Sequence, residues 1–200
     1  DPTVQRFAPR LIATLQRAID FSEATLAYGR AVEPTPRRRV IRLREMLEDL
    51  HTVPGLAAAD GEGGRADPDA TRLVLDVPDT LTIDADREQL SRVLVNLARN
   101  AVHAMAKTPP GARELRVSAR REGDACVVRV GDSGPGLPAK AREHLFEPFK
   151  SATRASGGTG LGLAICAEIV RLHGGSIAHE PEAPGASFRL VIPDRPRTEA

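Results

Sequence analysis

The sequence is poor in the residues that mark specialised classes of small protein. Among its 200 residues it has no tryptophan, one tyrosine and two cysteines, Cys126 and Cys166. The cysteines lie far apart, and neither has a histidine or cysteine at metal-ligand spacing, which argues against a zinc site and against a disulfide framework. We therefore expect both to be small buried hydrophobic residues.

The sequence also lacks an excess of charge and any long apolar run. Its 28 Lys and Arg residues against 27 Asp and Glu residues give a formal net charge of +1, so neither nucleic acid nor an anionic membrane is predicted as a partner. No apolar run approaches the roughly 18 residues of a membrane span, and "DPTVQRF" lacks the layout of a signal peptide. We expect a globular region located in the cytoplasm.

The first 30 residues have the pattern of a long bundle helix. Apolar positions from Val4 to Leu26 recur at steps of three and four residues, as on one face of a helix. The segment "AVEPTPRRR" then excludes helix because it contains two prolines. We predict a partial helical domain with its linker over 1–35, a second domain over 36–195 and a tail over 196–200. The apolar stripe predicts a homodimer formed through residues 1–30.

The second domain alternates between strand and helix signals. Helix patterns cover 86–107 and 162–173, and hairpins are predicted for 114–132 and 176–193. The strand signals are "RVIRL", "RLVLDV", "LTI", "ELRVSARR", "ACVVRVGD", "SIAHE" and "SFRLVIP". The expected fold is α+β, a two-layer α/β sandwich with helices on one face of a mostly antiparallel sheet.

The helix from Asp86 carries an unusual polar face. Asp86 and Gln89 form a capping-box pattern, while Asn96 and Asn100, four residues apart, project from one side. Asparagine is a mediocre helix former, so either this is a solvated face or the amide oxygens are ligands. Such oxygens suit Mg²⁺, which is usually held by few protein groups together with substrate phosphates.

Two glycine-rich stretches follow. In "GDSGPGLP", Asp132 at a strand end could accept a hydrogen bond from an exocyclic amine such as that of adenine, or the stretch is only a tight turn. In "GGTGLGLAI", Gly157, Gly158, Gly160 and Gly162 precede a helix and so form either a phosphate cradle or a hinge. The irregular connection over 135–158 is interpreted as a lid.

Taken in order, "NLARNA", "DSGPG", "HLFEPF" and "GGTGLGLAI" resemble the N, G1, F and G2 boxes of bacterial sensor histidine kinases. These kinases belong to the superfamily that also includes gyrase and Hsp90. The resemblance covers 40–193 and implies a Bergerat-type ATP-binding fold that uses ATP and Mg²⁺. It also implies in-line transfer of the ATP γ-phosphoryl group to a histidine, followed by relay to the receiver domain of a response regulator.

The resemblance also implies roles for individual residues. Asn96 and Asn100 would be catalytic, with Asn100 as the Mg²⁺ ligand, and Phe146 would pack the lid together with Phe149. The positions implied for nucleotide binding are His103, Asp132, Gly134, Gly136, Leu137, Phe149, Arg154, Gly158, Thr159, Gly160, Leu161 and Gly162.

The sequence departs from the family pattern at two places. His103 stands where lysine is common, so the phosphate contact expected there is open, with Lys107 or Arg99 as substitutes. No phosphoacceptor box is present around any of the five histidines. We therefore expect the chain to be a C-terminal portion of a longer kinase, whose membrane anchoring is left open, with the missing phosphoacceptor helix as a partner.

Asn96 separates branches of the superfamily. Hydrolytic members have a glutamate at this position as general base, and an amide cannot take that proton. This favours phosphoryl transfer over hydrolysis. The alternatives are a nucleotide-binding but inactive scaffold, a serine protein kinase of the anti-sigma type, and a purely structural dimerisation module.

Overall fold

The computed structural model describes residues 33–58, 69–149, 160–181 and 185–195. The predicted bundle helix, the predicted homodimer contact through residues 1–30 and the tail over 196–200 lie outside these residues. Of the predicted linker, residues 33–38 are described, and they form neither helix nor strand.

The described chain alternates strands with short and long helices. The strands are β1 (Arg39–Arg42), β2 (Leu56–Ala58), β3 (Thr71–Asp76), β4 (Thr82–Ala85), β5 (Glu114–Glu122), β6 (Ala125–Asp132), β7 (Ser176–Glu180) and β8 (Ser187–Pro193). The α-helices are α1 (Leu43–Glu48), α2 (Arg87–Ala104), α3 (Ala139–Arg142) and α4 (Gly162–Leu172), and 3₁₀ turns continue α1 over Asp49–Thr52 and α2 over Met105–Lys107.

Six strands form the main sheet in the order β2-β3-β5-β6-β8-β7, and β1 pairs with β4 in a separate two-stranded sheet. The predicted hairpins are confirmed: β5 and β6 pair antiparallel from Leu115↔Asp132 to Glu122↔Ala125, and β7 pairs antiparallel with β8. β3 runs parallel to both of its neighbours, β2 and β5. The main sheet is therefore mixed, with an antiparallel half built from β5, β6, β8 and β7.

The core lies between this sheet and the two long helices. Helix α2 packs against β5 and β6, α4 packs against β7 and β8, and the two helices contact each other. The apolar face of α2 and of the turn that continues it is buried at Leu90, Val93, Leu94, Leu97, Ala101 and Met105. Both cysteines are buried as expected, and burial raises the pKa of Cys126 to about 11 and that of Cys166 to about 12.

The start of α2 differs in part from the capping-box prediction. Asp86 does cap the helix, because its side chain accepts hydrogen bonds from the backbone N–H groups of Glu88 and Gln89. The capping-box pattern also predicts a reciprocal hydrogen bond between the Gln89 side chain and the Asp86 N–H, and this prediction is wrong. Gln89 Nε2 instead donates to Pro34 O at 2.8 Å, and the Asp86 N–H donates to Nε2 of His173 at 3.0 Å.

Within the described ranges, no helix has both the length and the apolar character needed to cross a bilayer.

Candidate functional site

The amide face of α2 points toward the start of α4. Asn96 is half-buried, and its Oδ1 would lie 3.6 Å from a β-carbon built on Gly162, the first residue of α4. The buried Cys166 thiol, one turn into α4, donates to Val93 O of α2 at 3.7 Å. Asn96 therefore lies at the junction between the two helices, and Asn100 and His103 follow it as exposed residues toward the end of α2.

Asp132 ends β6 with one carboxylate oxygen held by backbone. Oδ1 accepts hydrogen bonds from the N–H of Gly134 at 2.8 Å and from the N–H of Ala186 at 3.4 Å. Oδ2 has no hydrogen-bond partner in the part of the chain that the structure describes. Burial raises the pKa of Asp132, while the two N–H donors act in the opposite direction. The result is an oriented carboxylate with one oxygen left to accept from a ligand.

The turn after Asp132 requires glycine for close packing. A β-carbon on Gly134 would lie 2.7 Å from Asp132 Oδ1 and 3.3 Å from Met105 Cγ. Gly136 has a φ of +75°, and a β-carbon there would lie 2.9 Å from Gly185 O. These contacts tie the turn to the end of α2 and to the loop before β8. Leu137 then packs as a half-buried residue against the core.

Gly185 belongs to this turn, although sequence reasoning assigned it no role. Its φ is +113°, and a β-carbon would lie 1.6 Å from the carbonyl oxygen of Asp132. The neighbouring Ala186 both donates to Asp132 and receives a hydrogen bond from the Asp132 N–H at 2.9 Å. The signal was a single glycine in the predicted turn "PEAPGA", which by itself does not identify its partner.

The segment after α3 brings its two phenylalanines to different environments. Phe146 packs edge-on against Phe188 of β8, with ring centroids 6.5 Å apart and planes at 77°. Phe149 is 44% exposed, has a φ of 63°, and donates from its backbone N–H to Gly160 O at 3.0 Å. This hydrogen bond joins a residue within the predicted lid to a residue just after it. Arg154, Gly158 and Thr159 lie outside the described residues.

The start of α4 presents backbone donors. Gly160 has a φ of +71°, Leu161 is fully buried, and no side chain caps the helix. The first N–H groups of a helix have no intrahelical partner, and they carry the positive end of the helix dipole. An anion bound at the helix start, next to Gly162, would meet these groups on one side and the Asn96 amide on the other.

His179 of β7 is a polar residue at the site that sequence reasoning did not select. Its ring packs edge-on against Phe188 at 5.8 Å, and its buried Nε2 has no hydrogen-bond partner among the described residues. Burial lowers its pKa, Arg142 lowers it further and Asp132 acts against both. The alternation of "SIAHE" could have found it, since His179 shares a strand face with Ile177.

The donor set matches the chemistry expected for Mg²⁺ and a polyphosphate. The described residues contain no group of three or more histidine, cysteine, aspartate or glutamate side chains that could hold a metal ion. The exposed Asn100 amide would offer one hard oxygen ligand. Mg²⁺ keeps several waters and commonly takes its other ligands from substrate phosphates, so a single amide on the face of α2 that carries Asn96 is compatible with this ion.

Comparisons with known proteins assign this geometry to a family. The model of the histidine kinase-, DNA gyrase B- and HSP90-like ATPases matches residues 85–196, more than half of the chain. The C4-dicarboxylate transport sensor protein DctS of Rhodobacter capsulatus is 43% identical over 112 residues, covering 56% of this chain and 17% of DctS. The sensor-like histidine kinase SenX3 of Mycolicibacterium smegmatis is 30% identical over 207 residues, covering 100% of this chain and 51% of SenX3.

Solved structures agree with this assignment. The catalytic domain of histidine kinase ThkA superposes with a TM-score of 0.62 at 25% identity, covering 78% of this chain and 95% of that domain. ThkA crystallised in complex with the response regulator TrrA superposes with a TM-score of 0.71 at 23% identity, covering 100% of this chain and 54% of ThkA. The chain thus spans between about a sixth and about half of the length of the curated relatives compared. It belongs to the histidine kinase-, DNA gyrase B- and HSP90-like ATPase family, as an ATP-binding catalytic region of the two-component sensor histidine kinase type.

Proposed function

We propose that this region transfers the γ-phosphoryl group of ATP to a histidine imidazole on a helix outside the catalytic domain. The bond between the γ-phosphorus and the bridging oxygen breaks, a phosphorus–nitrogen bond forms, and ADP leaves. In such a transfer the protein forms no covalent bond with the substrate in the catalytic domain. It contributes mainly by positioning the reactants and neutralising charge.

The observation that carries the proposal is the Asn96 amide facing the start of α4. In the hydrolytic members of the superfamily that the sequence resembles, a glutamate at this position activates water, and an amide cannot accept that proton. The site therefore offers no base for water at this position. A neutral imidazole attacks through the lone pair of one ring nitrogen, and the proton on its other nitrogen passes to solvent after the phosphorus–nitrogen bond forms, so the arrangement supports transfer over hydrolysis.

The other residues divide between the two ends of the nucleotide. Asp132 Oδ2 would accept a hydrogen bond from the adenine amine, and the turn over 134–136 would let the ring approach the backbone. The N–H groups at Gly160 and Gly162 would bind phosphate oxygens, with the buried Leu161 holding this stretch against the core and Gly158, Thr159 and Arg154 as further contacts. Asn100 would hold Mg²⁺, which neutralises phosphate charge when bound. His103, exposed near the end of α2, would contact a phosphate oxygen.

Two partners follow from the same proposal. The acceptor histidine would lie on a helix of the parent kinase that this sequence does not contain, and residues 1–30 would form the homodimer contact beside it. The phosphoryl group would then pass to the receiver domain of a response regulator. The complex of ThkA with TrrA supports this step, because it joins a kinase of the same fold to a response regulator.

The experiment mixes this chain with Mg·ATP labelled at the γ-phosphate and a separate protein bearing the phosphoacceptor helix pair. We expect label on the acceptor that is lost in acid and retained in base, as phosphohistidine requires. Asn100→Ala should abolish the label, while Arg87→Gln, an exposed change on the same helix, should not.

The alternatives give different results in the labelling assay and in calorimetry of Mg·ATP binding. Mg·ATP binding by calorimetry without transfer would indicate an inactive scaffold. Acid-stable label on the acceptor would indicate a serine kinase. The absence of binding heat would indicate a structural module and would overturn the proposal.

A further inference from the structure

The residues that precede β1 are held against the catalytic helix by side chains that the site does not use. We call residues 33–38 and their partners the linker clasp. Its contacts run from Glu33 at one end to Arg38 at the other, and they reach α2, β4 and the end of α4. No step of the proposed nucleotide chemistry requires them.

The upstream end of the clasp is a bidentate ion pair. Arg92 Nη1 and Nη2 each donate to a carboxylate oxygen of Glu33 at 2.9 Å, and the Glu33 side chain is only 11% exposed. Paired, parallel hydrogen bonds fix orientation as well as distance. Arg92 lies one turn before Asn96 on α2, so Glu33 is fixed beside the amide face.

Two further bonds hold the middle of the clasp. Gln89 Nε2 donates to Pro34 O at 2.8 Å, and the Arg37 N–H donates to Asp86 Oδ2 at 2.8 Å. Asp86 therefore uses Oδ1 to cap α2 and Oδ2 to hold the linker. The linker follows the first turn of the helix that carries Asn96 and Asn100.

Arg38 anchors the downstream end. Its guanidinium donates to Asp84 O at 2.8 Å and 3.1 Å, to His173 O at 2.8 Å and to Pro193 O. Asp84 is itself paired with Arg195 at 2.9 Å and 3.0 Å. This end is buried among three elements and is the firmer of the two.

We propose that the linker clasp sets the length of the tether between the catalytic domain and the helix upstream of it, with Glu33 and Arg92 as positioning residues. With the clasp closed, the tether begins at Glu33, one turn from Asn96. With its upstream end open, the tether begins at Arg38, which stays anchored, and gains the five residues 33–37, which span up to about 17 Å when extended.

Tether length matters because it sets the effective concentration of a linked partner. That concentration falls roughly as the −3/2 power of tether length once the tether exceeds the span it must cover. The inference rests on the proposed function, since it supposes that an acceptor histidine is carried upstream. A short tether should then speed transfer within the intact kinase, and it should have no effect on an acceptor supplied as a separate protein.

The test compares these two situations with the same substitutions. In the parent kinase, Arg92→Gln should lower the rate of self-phosphorylation, by about threefold if opening doubles the length of the tether. In the present chain, the same variant should phosphorylate a separate acceptor protein at the wild-type rate and bind Mg·ATP with unchanged affinity. The exchange variant Glu33→Arg with Arg92→Glu should restore self-phosphorylation. Arg87→Gln is the matched control, because it removes an exposed α2 ion pair with Asp49 at 3.0 Å.

Each other outcome counts against the clasp. Unchanged self-phosphorylation in Arg92→Gln would overturn it. Equal losses with the linked and the separate acceptor would also overturn it, since Arg92 would then act at the reacting centre or through folding. Failure of the proposed function is a separate result, because the wild-type chain would then phosphorylate neither acceptor.

Discussion

His173 connects the two long helices through both of its ring nitrogens. Nδ1 contacts Ile169 O at 2.8 Å and Nε2 accepts from the Asp86 N–H at 3.0 Å, while the residue is 1% exposed. These partners fit only the neutral ring with its proton on Nδ1. Burial lowers the pKa of His173, and Arg38 lowers it further, against the opposing effects of the Ile169 carbonyl, Asp86 and Asp84.

The stability of the domain should therefore fall as the pH drops below about 6.5, the ordinary pKa of histidine. The unfolded chain binds the proton before the folded one does, so the free energy of unfolding decreases until the pH is below the folded pKa. Asp84 and Asp86 stay ionised in this range: burial opposes their ionisation, but hydrogen bonds from Arg195 and from backbone N–H groups outweigh it and lower both pKa values. Urea unfolding at pH 7.5, 6.5 and 5.5 measures the slope.

His173→Gln should lose about 1–3 kcal/mol at pH 7.5, the usual cost of a broken buried hydrogen bond, and should show a flatter pH dependence. Part of the slope will remain, because burial also lowers the pKa of His179. His51→Gln, an exposed change, serves as the control and should keep the wild-type slope. A wild-type slope in His173→Gln would contradict the assignment.

Single residues also show what sequence alone could predict about the site. Asp132 and Gly134 could be selected from the sequence because they stand at the end of an apolar strand and directly after it. His173 and Gly185 were not found, because their partners, Asp86 and Asp132, lie far away in sequence. Their roles depend on contacts that form only when α4 and β8 pack against the rest of the domain.

At the scale of elements, α2 is the part on which most of the site depends. Its buried face packs on the sheet, its amide face points to α4, and its first turn holds the linker. Asp86 is the common point, since its carboxylate accepts from the N–H groups of Arg37, Glu88 and Gln89. A change there should loosen the helix start and the linker together.

Asp86→Ala should lower the free energy of unfolding by about 1–2 kcal/mol, because N-cap losses cost about 0.5–2 kcal/mol. Asp86→Asn keeps an oxygen acceptor at the cap and should lose less than half as much. Urea unfolding at pH 7.5 compares the two variants. If asparagine and alanine destabilise equally, the carboxylate charge rather than the cap hydrogen bonds accounts for the effect.

The elements themselves were predicted where the pattern was local. The β5–β6 and β7–β8 hairpins follow from period-two alternation around short polar turns, and α2 follows from its apolar spacing. The parallel pairing of β3 with β2 and β5, and the separation of β1 and β4 into their own sheet, could not be read in this way. These pairings join segments that lie far apart in the sequence, so the local periodicity of hydrophobic residues does not predict them.

For the whole molecule, the proposed site divides into two sides that meet between α2 and α4. One side, formed by the Asp132 carboxylate and by backbone groups of its glycine turn and of the start of α4, would hold the nucleotide. The other side, the amide face of α2, consists of side chains and would act on the metal and the transferred group. Binding and transfer should therefore be separable by mutation.

Asn96 tests that separation, because it belongs to the amide face of α2 and not to the nucleotide-binding side. Asn96→Ala should reduce phosphoryl transfer about tenfold or more, which corresponds to about 1.4 kcal/mol of transition-state stabilisation, while Mg·ATP affinity changes less than about twofold. Asn96→Asp should impair transfer in the same way. Calorimetry gives the affinity and single-turnover labelling gives the rate, with urea unfolding to measure any change in stability. Equal losses of binding and transfer would assign Asn96 to the nucleotide side, and the division between the two sides would then be wrong.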